Sequence, residues 1–303
     1  MSTLSGAPTR PVSSPIHAWW FSFRIWTTSG QRRLDDAMPL DGSRPLALIT
    51  GASAGIGAAF ARELASRGYD LIVVARRVER LEELAASLST NVRVVASDLS
   101  TDEGLAEVER VVEESRIALL INNAGLGAFG PVAAQDPVAL SATVVVNALA
   151  PVRLTRSALP GMLEAGAGGV IAVSSPAAVP LPRLAAYAAT KSFVDVFFES
   201  VRREVADQGI RVTVVVPGYT HTEWHEKAGV DVSGVPARVW LDPSQVARAA
   251  LDAWSEGKAR IAVRPLEDRT RLSEAVGFVC RRVPRQVREA AFVRRLRTVG
   301  RRR

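Results

Sequence analysis

Residues 46–57 read Leu46-Ala47-Leu48-Ile49-Thr50-Gly51-Ala52-Ser53-Ala54-Gly55-Ile56-Gly57. A short continuous apolar run suits a strand buried on both faces. It passes directly into a turn with three glycines. Residues 58–66 then read as a helix, stopped by Gly68. Glycine is needed in such a turn for three reasons: the turn is tight, the backbone must approach a pyrophosphate, and the helix must pack close to the strand. The helix start then offers free N–H groups and a positive dipole end to phosphates. No Gly-Lys-Ser/Thr follows, so this is not a P-loop. A glycine-rich turn with no ligand is the alternative, but strand, loop and helix fall in the order a dinucleotide site requires.

Working outward, the same alternation continues. Apolar strands are expected at 71–75, 92–96, 119–121, 169–173 and 211–216, and helices at 78–88, 101–114, 138–159 and 186–207. Continuous apolar strands alternating with helices predict an α/β fold, a doubly wound parallel sheet covered on both faces. Ligands of such sheets lie at the C-terminal strand ends. One domain over 45–263 takes up this pattern. Residues 1–44 are rich in Ser, Pro and Arg and are expected to be a disordered leader, with Met38 a candidate true start. Residues 264–303 carry thirteen Arg and four acidic residues, a net +9, so the remainder is about −2 and the chain's +7 belongs to the tail. Apolar residues there, among them Phe278, Val283, Val287 and Phe292, recur at helical spacing around Pro284. This basic amphipathic helical extension is expected to dock on the domain or a second subunit, or to touch an anionic membrane surface. Nucleic acid is the least favoured partner, because interleaved aromatics are lacking. The single Cys280 excludes an internal disulfide and fits a cytoplasmic setting. No run reaches the roughly 18 uninterrupted apolar residues of a membrane span.

At the end of the second strand stands Ala75-Arg76-Arg77, where a carboxylate would receive the ribose 2′-hydroxyl of NAD. A guanidinium binds a 2′-phosphate by charge-assisted bonds. NADP(H) is therefore expected over NAD(H), with Arg76 the main contact and Ser53 a helper. Further along, Tyr187 and Lys191 stand at i and i+4, on one face of the expected helix. Carbonyl reduction leaves an alkoxide that needs a proton, and a phenol of pKa about 10 is a poor donor or acceptor near neutrality. An adjacent ammonium draws that pKa down. Tyr187 then acts as general acid in reduction and general base in oxidation. Ser174 and Ser175 end the preceding strand, where a hydroxyl can steady the substrate oxygen.

These motifs, T-G-x-x-x-G-I-G at residues 50–57, Asn122-Asn123-Ala124-Gly125, and Tyr187 with Lys191, resemble the short-chain dehydrogenase/reductase family over about residues 45–225. The resemblance implies a Rossmann fold and a nicotinamide cofactor held at Gly51, Ser53, Gly55, Ile56, Gly57, Arg76, Asn123, Tyr187, Lys191 and Thr222. It gives Asp98 an adenine contact, although Asp98 also suits a helix N-cap, for which Ser100 is the better candidate. It implies that Lys191 holds the nicotinamide ribose and that Asn147, in Val-Val-Asn-Ala, completes a proton relay. Thr222, in Pro217-Gly218-x-x-x-Thr222, would reach the carboxamide or pyrophosphate. The family's serine stands thirteen residues before its tyrosine. That count gives Ser174, whereas the segment Ser-Ser-Pro-Ala-Ala-Val-Pro-Leu-Pro fits the family's register with one residue missing, which gives Ser175, the favoured choice. Ala178 replaces the usual glycine of that loop. The resemblance also implies a homodimer or homotetramer built on two long helices.

Residues 223–242 follow the last motif. Trp224, His225, Val230, Val235 and Trp240 either line an apolar pocket for a bulky carbonyl or alcohol or pack against the domain. His221 and His225 lack partners for a metal set, so no metal is expected. An epimerase of the extended branch would more often carry T-G-x-x-G-x-x-G. A non-catalytic NADP(H)-binding regulatory or membrane-peripheral scaffold would be favoured by loss of Tyr187 or Lys191, and both are present.

Overall fold

The computed structural model describes residues 44–265. Apart from Arg44, the leader expected at 1–44 lies outside them, as do the start at Met38 and, from residue 266 on, the basic tail expected at 264–303. Seven strands form one sheet: β1 (Leu46–Thr50), β2 (Asp70–Ala75), β3 (Val92–Ala96), β4 (Ile117–Asn122), β5 (Gly168–Val173), β6 (Ile210–Pro217) and β7 (Arg260–Val263). Their order is β3-β2-β1-β4-β5-β6-β7, and every pairing is parallel. The order reverses between β1 and β4, so a crevice opens where their C-terminal ends diverge.

Successive residues of a strand face opposite sides, and helices cover both. Leu48, Ile72, Leu120 and Val170 face α3 (Asp102–Glu114), α5 (Ala150–Ala165) and α6 (Ala185–Glu204). Ala47, Ile49, Leu71 and Ile121 face α1 (Gly55–Ser66), α2 (Val78–Ala86) and α8 (Pro243–Ser255). Phe198 and Phe60 anchor the two cores and are fully buried. Burying a ring of that size stabilises by about 1.5–3 kcal/mol.

Three local features differ from the sequence expectations. Thr101, not Ser100, caps α3, its hydroxyl accepting from Gly104 N at 3.1 Å. Ser100 is instead bound to Asp98, whose Oδ1 accepts from its N and Oγ. The single helix expected at 138–159 is α4 (Pro137–Val144), a wider π turn at Val145–Leu149, and α5. The α8 helix and the edge strand β7 were not anticipated. Asp242 caps α8 in a reciprocal box with Gln245, and Pro243 occupies its first turn. The run Pro137–Ala165 is long and apolar enough on average to cross a membrane, yet much of it is built into the core against α3 and β4.

Candidate active site

The glycine loop lies over the crevice. Gly51 has φ +70° and Gly55 φ +54°, left-handed values that favour glycine. A Cβ on Gly57 would stand 2.2 Å from Gly51 O, so α1 meets the loop too closely for any side chain. A Cβ on Gly55 would stand 2.7 Å from Thr222 Cγ2, which places Thr222 directly over the start of α1. No side chain caps α1, and its first turn holds no acid. Its N-terminal N–H groups and dipole end thus remain directed at the crevice. Asn123 braces the floor. Its Nδ2 donates to Thr50 O at 2.8 Å, and its N donates to Thr50 Oγ1 at 3.0 Å. A cradle of backbone with no room for Cβ atoms, at an uncapped helix start, fits the pyrophosphate of a dinucleotide.

At the β2 end the two arginines part. Arg76 is exposed and lies 3.7 Å from Asp98 Oδ2. Arg77 donates to Ser53 Oγ from Nε at 3.3 Å and Nη2 at 3.0 Å. The structure therefore joins Ser53 to Arg77 rather than to Arg76. Burial works to raise the Asp98 carboxyl, but the Ser100 bonds and Arg76 outweigh it and hold it below the ordinary range.

On the other side of the crevice, β5 delivers two serines with different surroundings. Ser174 is buried and its hydroxyl donates to Lys191 O at 3.4 Å, inside the protein. Ser175 Oγ accepts from Ala177 N at 3.1 Å, and Ser175 lies near enough to the Tyr187 hydroxyl to act on its pKa. The shortened loop closes as a turn, Ala178 N donating to Ser175 O at 3.1 Å, and Ala178 needs no left-handed backbone.

Tyr187 and Lys191 lie on the same face of α6, 8% and 5% exposed. Lys191 Nζ donates to Val173 O at 2.8 Å and stands 5.8 Å from the Tyr187 ring centre. Burial pushes the Tyr187 phenol up to about 12, against the opposing effect of Ser175. Burial pushes Lys191 down to about 8, with Asp195 acting the other way. The expected lowering of the phenol by its ammonium neighbour is thus not met in this geometry, where burial sets the direction of the shift. Asn147 sits in the π turn, 1% exposed. Its Oδ1 accepts from Leu126 N, and its Nδ2 donates to Leu126 O and to Thr190 Oγ1, at 2.8, 2.8 and 3.1 Å. It ties the loop after β4 to the turn of α6 that carries Lys191.

A roof covers this face. The short helix α7 (Trp224–Lys227) lays the Trp224 indole against Tyr187, ring centres 4.7 Å apart. A Cβ on Gly127 would stand 2.5 Å from Trp224 Cζ2, so that glycine makes room for the indole. Phe129 N donates to Ala228 O at 2.9 Å, which fastens the loop after β4 to the roof. Leu181, Leu184, Val179, Trp224 and Val230 form a small apolar cluster around Tyr187. His221 stacks on Trp240, with 4.8 Å between ring centres, and His225 meets Trp240 edge-on. The histidines thus pack in an aromatic pile.

A dinucleotide cradle and a set of buried Tyr187 and Lys191 with half-buried Ser175 meet at one crevice, and together they define a nicotinamide-dependent oxidoreductase. The chain belongs to the short-chain dehydrogenase/reductase family: the short chain dehydrogenase family model matches residues 45–232. It is 30% identical over 218 residues to the very-long-chain 3-oxoacyl-CoA reductase of Bos taurus, covering 69% of this chain and 68% of that one. It is 40% identical over 188 residues to sulfoacetaldehyde reductase 2 of Chromohalobacter salexigens, covering 59% and 74%. The solved short-chain dehydrogenase of Sphingobium yanoikuyae in complex with NADPH superposes with TM-score 0.69 at 33% identity, covering 72% and 87%.

Proposed function

We propose that this chain is an NADP(H)-dependent reductase of apolar carbonyls, reversible as an alcohol dehydrogenase, with Tyr187 as its proton donor. The observation that carries this is Tyr187 with Lys191 Nζ 5.8 Å from its ring on α6, Ser175 acting on the phenol, and the loop after β4 joining the glycine loop to Lys191. The nicotinamide, when bound, supplies the hydride that reaches the substrate carbon. The chain's own groups manage the oxygen. Ser175 donates a hydrogen bond to it, and Tyr187 gives it a proton as charge develops. A phenol near 12 is fully protonated at neutrality, which loads the site for reduction. Lys191 supplies positive potential beside both and holds the nicotinamide ribose. Asn147 is a positioning residue here, since both its amide hydrogens are engaged with Leu126 and Thr190.

Two guanidiniums and no carboxylate at the end of β2 support NADP(H), with Arg76 and Arg77 flanking the 2′-phosphate and Ser53 beside Arg77. The NADPH complex of the Sphingobium relative supports the same choice. Gly51, Gly55, Ile56, Gly57 and Asn123 hold the pyrophosphate side, Asp98 the adenine, and Thr222 the nicotinamide end. The apolar cluster under Trp224 suits an alkyl or aryl carbonyl better than a small anion.

The pH profile follows from Lys191 and Tyr187. Reduction needs both protonated. Tyr187 remains so up to about 12, and Lys191 only up to about 8. The kcat/KM for carbonyl reduction should be flat below about pH 8 and fall above it. A value that climbs through that range would show that the deprotonated lysine is the active form.

We further propose a homodimer through α4 and α6. Val138 and Val196 are 74% and 70% exposed, and Val144, Leu149 and Phe193 continue the same apolar surface. Apolar patches of this kind mark association surfaces. Light scattering should give twice the chain mass, and Val196→Asp should give the monomer; a wild-type monomer at micromolar concentration would contradict this.

A further inference from the structure

Glu223 stands one residue beyond the last recognised motif, at the entrance to α7. Its carboxylate accepts from Arg77 Nη1 at 2.8 Å, from Arg80 Nη1, and from Lys227 Nζ at 2.5 Å. Arg77 also donates from Nε and Nη2 to Ser53 of the glycine loop. One guanidinium is thus shared between the cofactor loop and a carboxylate contributed from across the crevice. Glu223 and Arg80 also wall a 520 Å³ cavity together with Ser53, Gly55 and Thr222.

We propose that Glu223 is a specificity-determining residue for the cofactor: an internal anion that competes with a 2′-phosphate for Arg77 and Arg80. The inference rests on the NADP(H) reading above. A phosphate monoester carries about −1.5 to −2 charge near neutrality. Arriving at Arg77, it meets a carboxylate already bonded there, and it must displace Glu223 or bind beside it against like-charge repulsion. A ribose 2′-hydroxyl carries no charge and meets neither obstacle. Glu223 therefore weakens NADPH binding while leaving NADH binding unchanged, and so narrows the preference that the two arginines create. Lys227, Arg80 and Arg77 hold the Glu223 carboxyl down at about 2, so the competition is constant across the working pH range.

The size of the effect follows from exposure. The Arg77, Arg80 and Glu223 side chains are 33%, 48% and 35% exposed. Partly exposed pairs are individually weak, so their joint loss corresponds to roughly three- to tenfold in affinity. The test is titration of NADPH and NADH, followed by nicotinamide fluorescence, into the full chain as wild type, Glu223→Gln and Glu223→Ala. Far-UV circular dichroism confirms that each variant folds. Both variants should bind NADPH three- to tenfold more tightly than wild type and NADH within twofold of it. The gain should shrink at high salt. Unchanged NADPH affinity, in a wild type that prefers NADPH, overturns the role of Glu223 and leaves the cofactor reading intact. Weaker NADPH binding in both variants also overturns it, and makes Glu223 a support that holds the arginines in place. A wild type that binds NADH at least as tightly as NADPH removes the cofactor reading, and the competition with it.

Discussion

Tyr187→Phe should lower kcat for carbonyl reduction by roughly 10²–10⁴-fold, the range typical of a positioned general acid, while NADPH binds as in wild type. The two halves of this expectation have separate origins. Phenylalanine keeps the ring that Trp224 lies against, so the roof and the apolar cluster persist. It removes only the hydroxyl, the group on which Ser175 acts. Ser175 then still offers a hydrogen bond, but no group at the oxygen can release a proton near neutrality. Lys191 cannot substitute, because its ammonium is turned to Val173 O. Single-turnover kinetics and a fluorescence titration read the two halves independently. A Phe variant within tenfold of wild-type kcat would place the proton donor elsewhere.

Gly57→Ala should abolish measurable NADPH binding and lower Tm, although one methyl group is all that it adds. That methyl would stand 2.2 Å from Gly51 O and 2.6 Å from Asn123 Nδ2. Both neighbours belong to the cradle, and one is backbone, so neither can yield without moving the loop. Either α1 withdraws from β1, or Asn123 gives up its bond to Thr50 O. Overpacking of this kind costs about 1–3 kcal/mol in stability, and the loss of loop geometry acts on binding in addition. Gly68→Ala is a control of the opposite kind. Its φ is left-handed, +85°, unlike that of Gly57, but nothing lies within 4 Å of its Cβ, and it stands past the far end of α1 from the cradle. It should cost stability alone. Equal NADPH affinity in Gly57→Ala and wild type would mean that the pyrophosphate does not rest on this loop.

Much of this architecture is legible in the sequence because buried parallel strands are written as continuous apolar runs, and the first of them ends at Thr50 with three glycines behind it. The parts that were missed have physical reasons. β7 is a four-residue edge strand, with Arg260 and Ala262 exposed, so it carries no buried run. The π turn around Asn147 differs from an α-helix by one residue per hydrogen-bonded ring, which leaves no mark in composition. Asp242-Pro243 before α8 is a helix-start signal written in the sequence. Ser174 is buried and Ser175 only half-buried, a difference that counting residues cannot show. Spacing is equally silent on the partner of Ser53. Arg76 and Arg77 are adjacent in the chain, and only the turn of the backbone into α2 sends Arg77 to the glycine loop. Glu223 lies 146 residues from Arg77, and no periodicity links positions so far apart.

The most direct test of the account is the loss of NADPH absorbance when the purified full chain meets a series of aldehydes and ketones of increasing apolar bulk, with NADH run in parallel. Turnover with NADPH is expected, with slower turnover with NADH at equal concentration and kcat/KM that rises with apolar bulk. NADPH binding without turnover across the whole series would contradict it, and would make the chain a cofactor-binding protein that does no reduction.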